Sequence, residues 1–309
     1  MTEEALLADD LRKQYAVRGE APVEALRGVS VRIQRGERVA LLGRNGAGKT
    51  TFLRIASTLL IPSSGTVRVF GVDAIADPDA VRPMLAVVPQ EGKPFFHLTP
   101  REQVYSYLRA RGFARESATD RAQSALDQMG LGEVADRLSI TLSGGQRQRT
   151  MVATVIATEA PLMFLDEPTI GMDPFARREV WESLRRLTRR GSTILLTTHY
   201  LDEAEHLAQR LYIIERGKVL VEGSGESLKR RAGGTLRVSV VGGASLGPEL
   251  ESFGVLVPDG EALHVITEPE RVQELLGLLS RAKLAATVGP VTLEEAFMRV
   301  VGRSINDEG

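Results

Sequence analysis

Three short segments contain the residue types that handle phosphate, metal ions and water. The first is rich in glycine and ends in a lysine and a threonine: Gly43-Arg44-Asn45-Gly46-Ala47-Gly48-Lys49-Thr50. The second is an apolar run that ends in two carboxylates: Leu162-Met163-Phe164-Leu165-Asp166-Glu167. The third is a histidine, His199, which follows another apolar run. Together these residue types predict a site that binds and hydrolyses a nucleoside triphosphate.

The glycine-rich segment, residues 43–50, is called the phosphate loop below. Its glycines allow backbone N–H groups to converge on phosphate oxygens at the positive end of the following helix. Lys49 is expected to contact the β and γ phosphates, and the Thr50 hydroxyl to ligate Mg²⁺. Thr51, next along the chain, is also assigned to the nucleotide site. A glycine-rich turn that matches by chance is the alternative, and the flanking strand and helix patterns argue against it.

The paired carboxylates follow an apolar strand that should deliver both to one edge of a sheet. Asp166 is expected to hold Mg²⁺, through water, and Glu167 is the candidate general base that polarises the attacking water. A pair of surface acids at the end of a strand is the structural alternative. The phosphate loop elsewhere in the same chain favours the catalytic interpretation.

The surrounding sequence predicts elements that position these residues. Residues 39–42, 162–166 and 193–197 are short apolar runs and predict buried parallel strands. Apolar residues after Lys49 have helical spacing and predict a helix that stops at residues 62–65: Phe52, Ile55, Ala56, Leu59 and Leu60. Residues 99–135 read as helical, and Thr99 and Glu102 have capping-box spacing. Strands that alternate with helices imply a parallel α/β core.

Length and composition set wider bounds. A chain of 309 residues can form two domains. The composition becomes basic and then glycine-rich near residue 229, which places a boundary between residues 229 and 230. The net charge of −1 gives no reason to expect nucleic acid as a partner. There is no cysteine, the four histidines lack metal-ligand spacing, and the acidic start does not resemble a signal peptide. Since no run of about 18 apolar residues occurs, a membrane role is expected to depend on a partner.

A fourth segment connects these motifs to a known family. In Leu142-Ser143-Gly144-Gly145-Gln146, the serine and glutamine have capping-box spacing, which predicts a helix start that could be a second anion site or a plain cap. The segment resembles the signature of ATP-binding-cassette (ABC) ATPases, and the order of motifs is similar to that family over roughly residues 6–229. The resemblance implies ATP and Mg²⁺, and a signature that closes over ATP held by a partner protomer. A second ABC cassette, as a homodimer, is therefore expected.

The same resemblance gives roles to isolated residues. Gln90 resembles the family's Q-loop, near Mg²⁺ or the attacking water, and His199 resembles the switch histidine at the γ-phosphate. Tyr15 resembles the aromatic residue that stacks on adenine, although a core or surface tyrosine is the alternative. Asp173 resembles the D-loop aspartate and could equally be a helix N-cap. Beyond Gln90, the adjacent Phe95 and Phe96 could face a membrane partner or pin the helical block; both interpretations stay open.

The end of the chain resembles the accessory domain of drug-resistance-type exporter ATPases, with a capping box at Thr292 and Glu295 that opens an end helix. A small stabilising domain is the alternative. The implied fold is a P-loop NTPase of the α/β class: an ABC cassette with a parallel core sheet, an antiparallel β subdomain and a helical subdomain at about residues 91–160. A small α+β domain at residues 230–309 completes it.

The resemblance implies an ATPase subunit that powers a separate, polytopic transmembrane permease for export. It would lie at the cytoplasmic face of the cell membrane as a peripheral subunit. A soluble ABC ATPase that acts on ribosomes or nucleic acid is one alternative, although such proteins usually carry two cassettes or a long coiled coil. A module that uses nucleotide only as a switch is another, and Glu167 and His199 argue against it.

Overall fold

The computed structural model describes residues 4–16, 18–19, 21–90, 92–260 and 262–307. Its contacts divide the chain into two compact units, Met1–Glu222 and Gly223–Gly309. The boundary predicted after residue 229 falls inside a helix, Gly225–Arg231, that packs against the C-terminal helix of the second unit. The contacts therefore place the division earlier in the chain than the change in composition does.

The first unit contains two sheets and seven α-helices among its described residues. Its strands are β1 Glu4–Tyr15, β2 Val23–Gln34, β3 Arg38–Leu42, β4 Ser64–Val69, β5 Val72–Asp73, β6 Leu85–Val88, β7 Leu162–Asp166, β8 Thr193–Thr198, β9 Arg210–Glu215 and β10 Lys218–Gly223. Its helices are α1 Lys49–Ala56, α2 Pro78–Val81, α3 Pro100–Ala110, α4 Arg115–Gln128, α5 Gly144–Ile156, α6 Pro174–Arg189 and α7 Leu201–Leu207.

The larger sheet has six strands in the order β10-β9-β3-β8-β7-β6. Strands β9, β3, β8, β7 and β6 run parallel to one another. Every residue of β7 and β8 is buried, because helices or the second sheet cover both faces of this sheet. This explains why the predicted strands read as continuous apolar runs, and it confirms the parallel α/β core.

The smaller sheet is antiparallel, with the order β2-β1-β4-β5. Along β2, buried apolar residues alternate with more exposed ones, as the sequence predicted for Val29, Val31 and Ile33. Helix α1 packs between this sheet and the larger one, where Phe52 is fully buried. These residues form one continuous core.

The prediction for the end of α1 was wrong. The helix ends at Ala56 instead of continuing to Leu60, and Leu59 is 61% exposed. Thr58 adopts a left-handed backbone, with φ of 63°. The N–H of Leu59 then donates to the carbonyl of Arg54 at 2.8 Å, and the N–H of Thr58 donates to that of Ile55 at 3.0 Å. This Schellman pattern ends the helix one turn early. Thr58 occupies the left-handed position after the helix, where glycine is the usual residue.

The helical region consists of α3, α4 and α5. The block predicted at residues 99–135 is two helices, separated near Gly112, whose φ of 88° suits a glycine. The predicted capping box is confirmed, since Thr99 accepts from the N–H of Glu102 and the Glu102 carboxylate accepts from the N–H of Thr99.

The second unit is a four-stranded antiparallel sheet with helices. Its elements are α8 Gly225–Arg231, β11 Leu236–Val241, α9 Gly247–Glu251, β12 Val255–Asp259, β13 Ala262–Thr267, α10 Pro269–Arg281, β14 Ala286–Pro290 and α11 Leu293–Asp307. The strand order is β12-β13-β11-β14, and α10 covers a separate core that includes Val238, Val265 and Leu275. The capping box of Thr292 and Glu295 is present at the start of α11.

Among the residues that the structure describes, no helix combines the length and the apolar composition that crossing a membrane requires.

Candidate functional site

Four loops meet at one edge of the six-stranded sheet. Strands β3, β8, β7 and β6 are parallel neighbours in that order, so their carboxyl ends lie side by side. The phosphate loop follows β3, Asp166 ends β7, His199 follows β8 and Gln90 follows β6. The carboxyl edge of an open parallel sheet is where α/β proteins place ligands.

The phosphate loop is shaped by close backbone approaches. Gly48 has φ of 109° and precedes α1 directly; a Cβ there would lie 2.6 Å from the carbonyl oxygen of Ala25. A Cβ on Gly43 would lie 2.2 Å from the carbonyl oxygen of Ile214. Only glycine fits at either position, so the loop wraps tightly at the N-terminal end of α1. Such a turn directs backbone N–H groups at an anion.

Lys49 is enclosed by the loop that precedes it. Its side chain is only 6% exposed, and Nζ donates to the carbonyl oxygens of Gly43 at 2.7 Å and Arg44 at 3.2 Å. Burial lowers the pKa of the Lys49 ammonium, and the nearby Glu167 and Asp166 partly offset this effect. A buried ammonium at a helix start is well placed to stabilise a bound polyphosphate.

Three side chains with oxygen atoms that could ligate a metal converge beside this lysine. The Thr50 hydroxyl lies 3.1 Å from Oε1 of Gln90 and 3.3 Å from Oδ1 of Asp166. No cluster of three or more acidic, histidine or cysteine side chains with metal-ligand geometry occurs in the described part of the chain. A hydroxyl, an amide oxygen and a carboxylate are hard oxygen ligands that leave room for water and phosphate, as Mg²⁺ requires. These residues therefore fit Mg²⁺.

Asp166 is supported by a residue that the sequence analysis did not identify. The Thr197 hydroxyl, opposite Asp166 in the register of β7 and β8, donates a short hydrogen bond to Oδ1. Asp166 is 1% exposed, and burial raises the pKa of its carboxyl, against the effect of the hydroxyls of Thr197 and Thr50. A strand threonine gives no signal in the sequence, because only the strand pairing places it there.

Glu167 is held in an unusual conformation beside His199. Its φ is 51°, in the left-handed region that non-glycine residues rarely adopt, and its carboxylate Oε1 lies 3.1 Å from Nδ1 of His199. Its N–H donates to the Thr197 carbonyl at 3.1 Å, and Nε2 of Gln148 on α5 contacts its carbonyl at 3.4 Å. Strained backbone of this kind persists where its surroundings hold it, often at functional sites.

A cleft of about 310 Å³ lies over the phosphate loop. Its lining residues are Tyr15, Val23, Ala25, Asn45, Gly46, Ala47, Gly48, Lys49, Thr50, Thr51, Gln90 and Glu167. Tyr15 lies at its rim, with its hydroxyl 3.4 Å from Oγ1 of Thr51. Sequence reasoning missed Val23 and Ala25. Val23 is 53% exposed, so the cleft also has accessible apolar surface.

The remaining predicted residues do not line this cleft. Ser143 and Gln146 form a complete capping box at the start of α5, so the glycines between them begin the helix. A Cβ on Gly145 would lie 3.2 Å from the Gly171 carbonyl oxygen, which places the helix start against the segment before Asp173. Asp173 is the N-cap of α6, and its carboxylate accepts from two backbone N–H groups. These hydrogen bonds, that from the Ala176 N–H above all, lower the pKa of the Asp173 carboxyl.

The sequence family described as ABC transporter matches residues 26–170. The chain is 37% identical over 295 residues to a daunorubicin/doxorubicin resistance ATP-binding protein of Streptomyces peucetius, across 92% of this chain and 89% of the relative. The chain belongs to the ABC transporter family. It is also 35% identical to Nod factor export ATP-binding protein I of Rhizobium sp. (strain N33), across 90% of this chain and 92% of that protein.

Solved structures agree with this assignment. An ATP-binding subunit of an ABC transporter matches with a TM-score of 0.65 and 28% identity, across 74% of this chain and 92% of that one. A dimeric ATP-binding cassette, in a post-hydrolysis state with ADP and Pi, matches with a TM-score of 0.67 and 27% identity, across 71% of this chain and 98% of that one. The predicted family, cassette fold, ATPase reaction, ATP and Mg²⁺ are confirmed, and the ABC protein is an ATP-hydrolysing subunit of the exporter type.

Asp166→Asn should make the folded protein more stable while it weakens the site. Burial raises the pKa of this carboxyl above its unfolded value, so the ionised form opposes folding at neutral pH. The amide oxygen still accepts the threonine hydroxyls. We expect the Asp166→Asn protein to melt a few degrees above wild type near pH 7, measured by thermal denaturation without nucleotide. The difference should shrink as the pH falls through the raised pKa, because wild-type Asp166 is then protonated.

Asp173→Asn is the control for this effect. Its carboxyl is exposed and its pKa is lowered, so ionised Asp173 favours the folded state and neutralisation should not raise the melting temperature. Equal stabilisation by both changes would contradict the assignment of the gain to burial of Asp166.

Proposed function

We propose that two copies of this chain hold two Mg-ATP between them and drive a separate transmembrane permease at the cytoplasmic face of the cell membrane. The observation that carries this proposal is the arrangement at the sheet edge. Residues 45–50 of the phosphate loop line one cleft together with Gln90 and Glu167, whereas the signature at Ser143 does not line it. Asp166 contacts Thr50, and His199 contacts Glu167. A site of this kind is complete only when a second cassette supplies a signature.

The phosphate loop binds the triphosphate of ATP in this proposal. Backbone N–H groups at the start of α1 and the Lys49 ammonium bind the β and γ phosphates. Thr50, Gln90 and Asp166 would hold Mg²⁺, either directly or through water. When bound, Mg²⁺ neutralises the charge of the phosphate oxygens. Tyr15 at the rim of the cleft offers its ring to the adenine.

Glu167 is proposed as the general base. Its carboxylate would accept a proton from the water that attacks the γ-phosphate. His199, whose Nδ1 lies 3.1 Å from this carboxylate, would fix its orientation and offer its other ring nitrogen to the γ-phosphate. The left-handed backbone of Glu167 supports this role, because strain at this position is held by two strands and by Gln148.

Ser143, Gly144, Gly145 and Gln146 are proposed to contact the nucleotide of the partner cassette. The capping box pairs the N–H groups of Ser143 and Gln146. Ser143 and Gly144 are exposed, whereas Gly145 and Gln146 are half-buried. Asp173 lies against the same helix start through the segment that precedes it, and it would meet the partner across the dimer.

A membrane partner is proposed from the relatives. Those proteins are described as drug-resistance and Nod factor export ATP-binding proteins. Phe95 and Phe96 are 62% and 48% exposed, on the segment that follows Gln90. Exposed aromatic residues of this kind favour a docking contact over a packing role within the helical region. The second unit is proposed as the accessory domain of such an exporter ATPase.

Glu167→Gln should bind ATP and hardly hydrolyse it. The amide keeps the size of the side chain but cannot accept the proton, so turnover should fall by roughly 10²–10⁴. We expect an ATP-dependent dimer to accumulate, which size-exclusion chromatography with Mg-ATP would detect. Lys49→Ala, which should lose ATP binding, provides the background. Hydrolysis by Glu167→Gln at the wild-type rate would disprove the assigned role.

Ser143→Arg should leave ATP binding to the monomer intact and prevent dimer closure. The new side chain would block the surface that meets the partner's nucleotide, while the cleft of its own chain does not include Ser143. The measurement combines binding of a fluorescent ATP analogue with chromatography in the Glu167→Gln background. Thr99→Arg is the matched control, because it makes the same change at another capping box. Loss of ATP affinity in monomeric Ser143→Arg would refute the proposed trans site.

The transporter assignment is tested by purifying the tagged chain from its native membranes in mild detergent. We expect a polytopic membrane protein in near-equal amount, and its identity would define the transported substrate. Recovery with ribosomes, or alone in the soluble fraction, would contradict the proposed permease partner while the ATPase chemistry remained.

A further inference from the structure

A buried carboxyl group outside the cleft connects two of the loops that carry the reaction. Glu203 lies in the first turn of α7 and is 1% exposed. Its Oε1 accepts a hydrogen bond from the Thr169 hydroxyl at 2.9 Å and another from Nε1 of Trp181 at 3.2 Å. The carboxyl is thus shared between the segment after β7 and helix α6.

These contacts form a closed ring with the proposed catalytic pair. Thr169 lies two residues after Glu167, and Glu203 lies four residues after His199. The ring is closed by the 3.1 Å contact between His199 and Glu167. A change in the position of Glu203 must therefore move one of these two segments relative to the other.

Further contacts join the same two segments. The guanidinium of Arg177 on α6 lies 4.1 Å from the ring centre of Tyr200, whose ring in turn lies 4.1 Å from that of His199. The Trp181 ring stacks on His206 with centres 5.0 Å apart. Helices α6 and α7 therefore pack as a pair, with Glu203 as the buried polar contact between them.

The carboxyl group of Glu203 is costly to bury, and its Oε2 has no hydrogen-bond partner among the described residues. Burial raises the pKa of Glu203, although the Thr198, Thr169 and Trp181 donors and the charge of Arg177 favour its ionised form. Replacement of buried charged groups by apolar residues of similar volume is often neutral or stabilising. What the carboxyl supplies is geometry, since one oxygen accepts two donors from different parts of the chain.

We propose that Glu203 is a positioning residue for ATP hydrolysis, whose buried carboxyl holds the segment after Glu167 against the segment after His199 and so keeps those two side chains in contact. This inference rests on the roles proposed above for Glu167 and His199. Glu203 itself does not line the nucleotide cleft, so ATP affinity should not depend on it.

The test is the hydrolysis rate and ATP affinity of full-length variants, measured separately. Glu203→Ala should lower kcat roughly tenfold or more, because small misplacements of reacting groups cost up to about 100-fold in rate. Its dissociation constant for ATP should stay within about twofold of wild type. Glu203→Gln should restore most of the rate, since its amide oxygen accepts the same two hydrogen bonds. Glu205→Ala, an exposed carboxylate on the same helix, is the matched control and should keep the wild-type rate.

Two milder variants keep the proposal testable if Glu203→Ala does not fold. Thr169→Val removes one donor at nearly constant volume, and Trp181→Phe removes the other while it keeps an aromatic ring next to His206. Each should lower kcat without a matching loss of ATP affinity. Wild-type rates in both would overturn the proposal, as would a parallel fall in rate and affinity.

A double-mutant cycle shows whether Glu203 acts through the catalytic pair. In a His199→Ala background, Glu203→Ala should cost little more, measured by single-turnover hydrolysis above the Lys49→Ala background. Additive costs would overturn the proposal. A Glu167→Gln variant that hydrolyses normally would instead refute the role of Glu167, so the two failures are distinguishable.

Discussion

The side-by-side carboxyl ends of β3, β8, β7 and β6 are the constraint on which this molecule depends. Each strand is short and largely buried, and each delivers one polar segment to the same edge. Residues that are more than 100 positions apart in the chain, such as Thr50 and Asp166, come within 3.3 Å because their strands belong to one parallel sheet. The antiparallel sheet and α1 fix this edge from one face, and the helices cover the other.

Two charged side chains of the site are buried. Lys49 and Asp166 are almost completely enclosed, with a lowered and a raised pKa respectively, because burial disfavours the charged form of each. Their mutual attraction only partly offsets this cost. In the proposed site, Mg-ATP would supply the missing counter-charges, phosphate to the lysine and metal to the carboxylate. Burial of these two charges therefore opposes folding, and a ligand that binds only the folded chain would stabilise it.

The loops at the site are also tied to the helices behind them. Gln148 on α5 contacts the carbonyls of Glu167 and Pro168, and Glu203 on α7 accepts from Thr169 just beyond. The turn after β7 is therefore held by the signature helix on one side and by the helix that follows His199 on the other. In the proposed dimer, closure of a partner on the signature and the alignment of Glu167 would involve the same short segment.

The sequence alone determined the local parts. Apolar strands next to glycine, lysine and paired carboxylates follow from short-range rules, as do the capping boxes at Thr99 and Ser143. Tertiary structure decided what touches what. Thr197 contacts Asp166, Gln148 contacts Glu167, and Glu203 contacts Thr169. These contacts depend on strand order and helix packing, and no local sequence pattern predicts them. The early end of α1 at Thr58 likewise came from the packed structure, because helical periodicity continues past the point where the backbone turns.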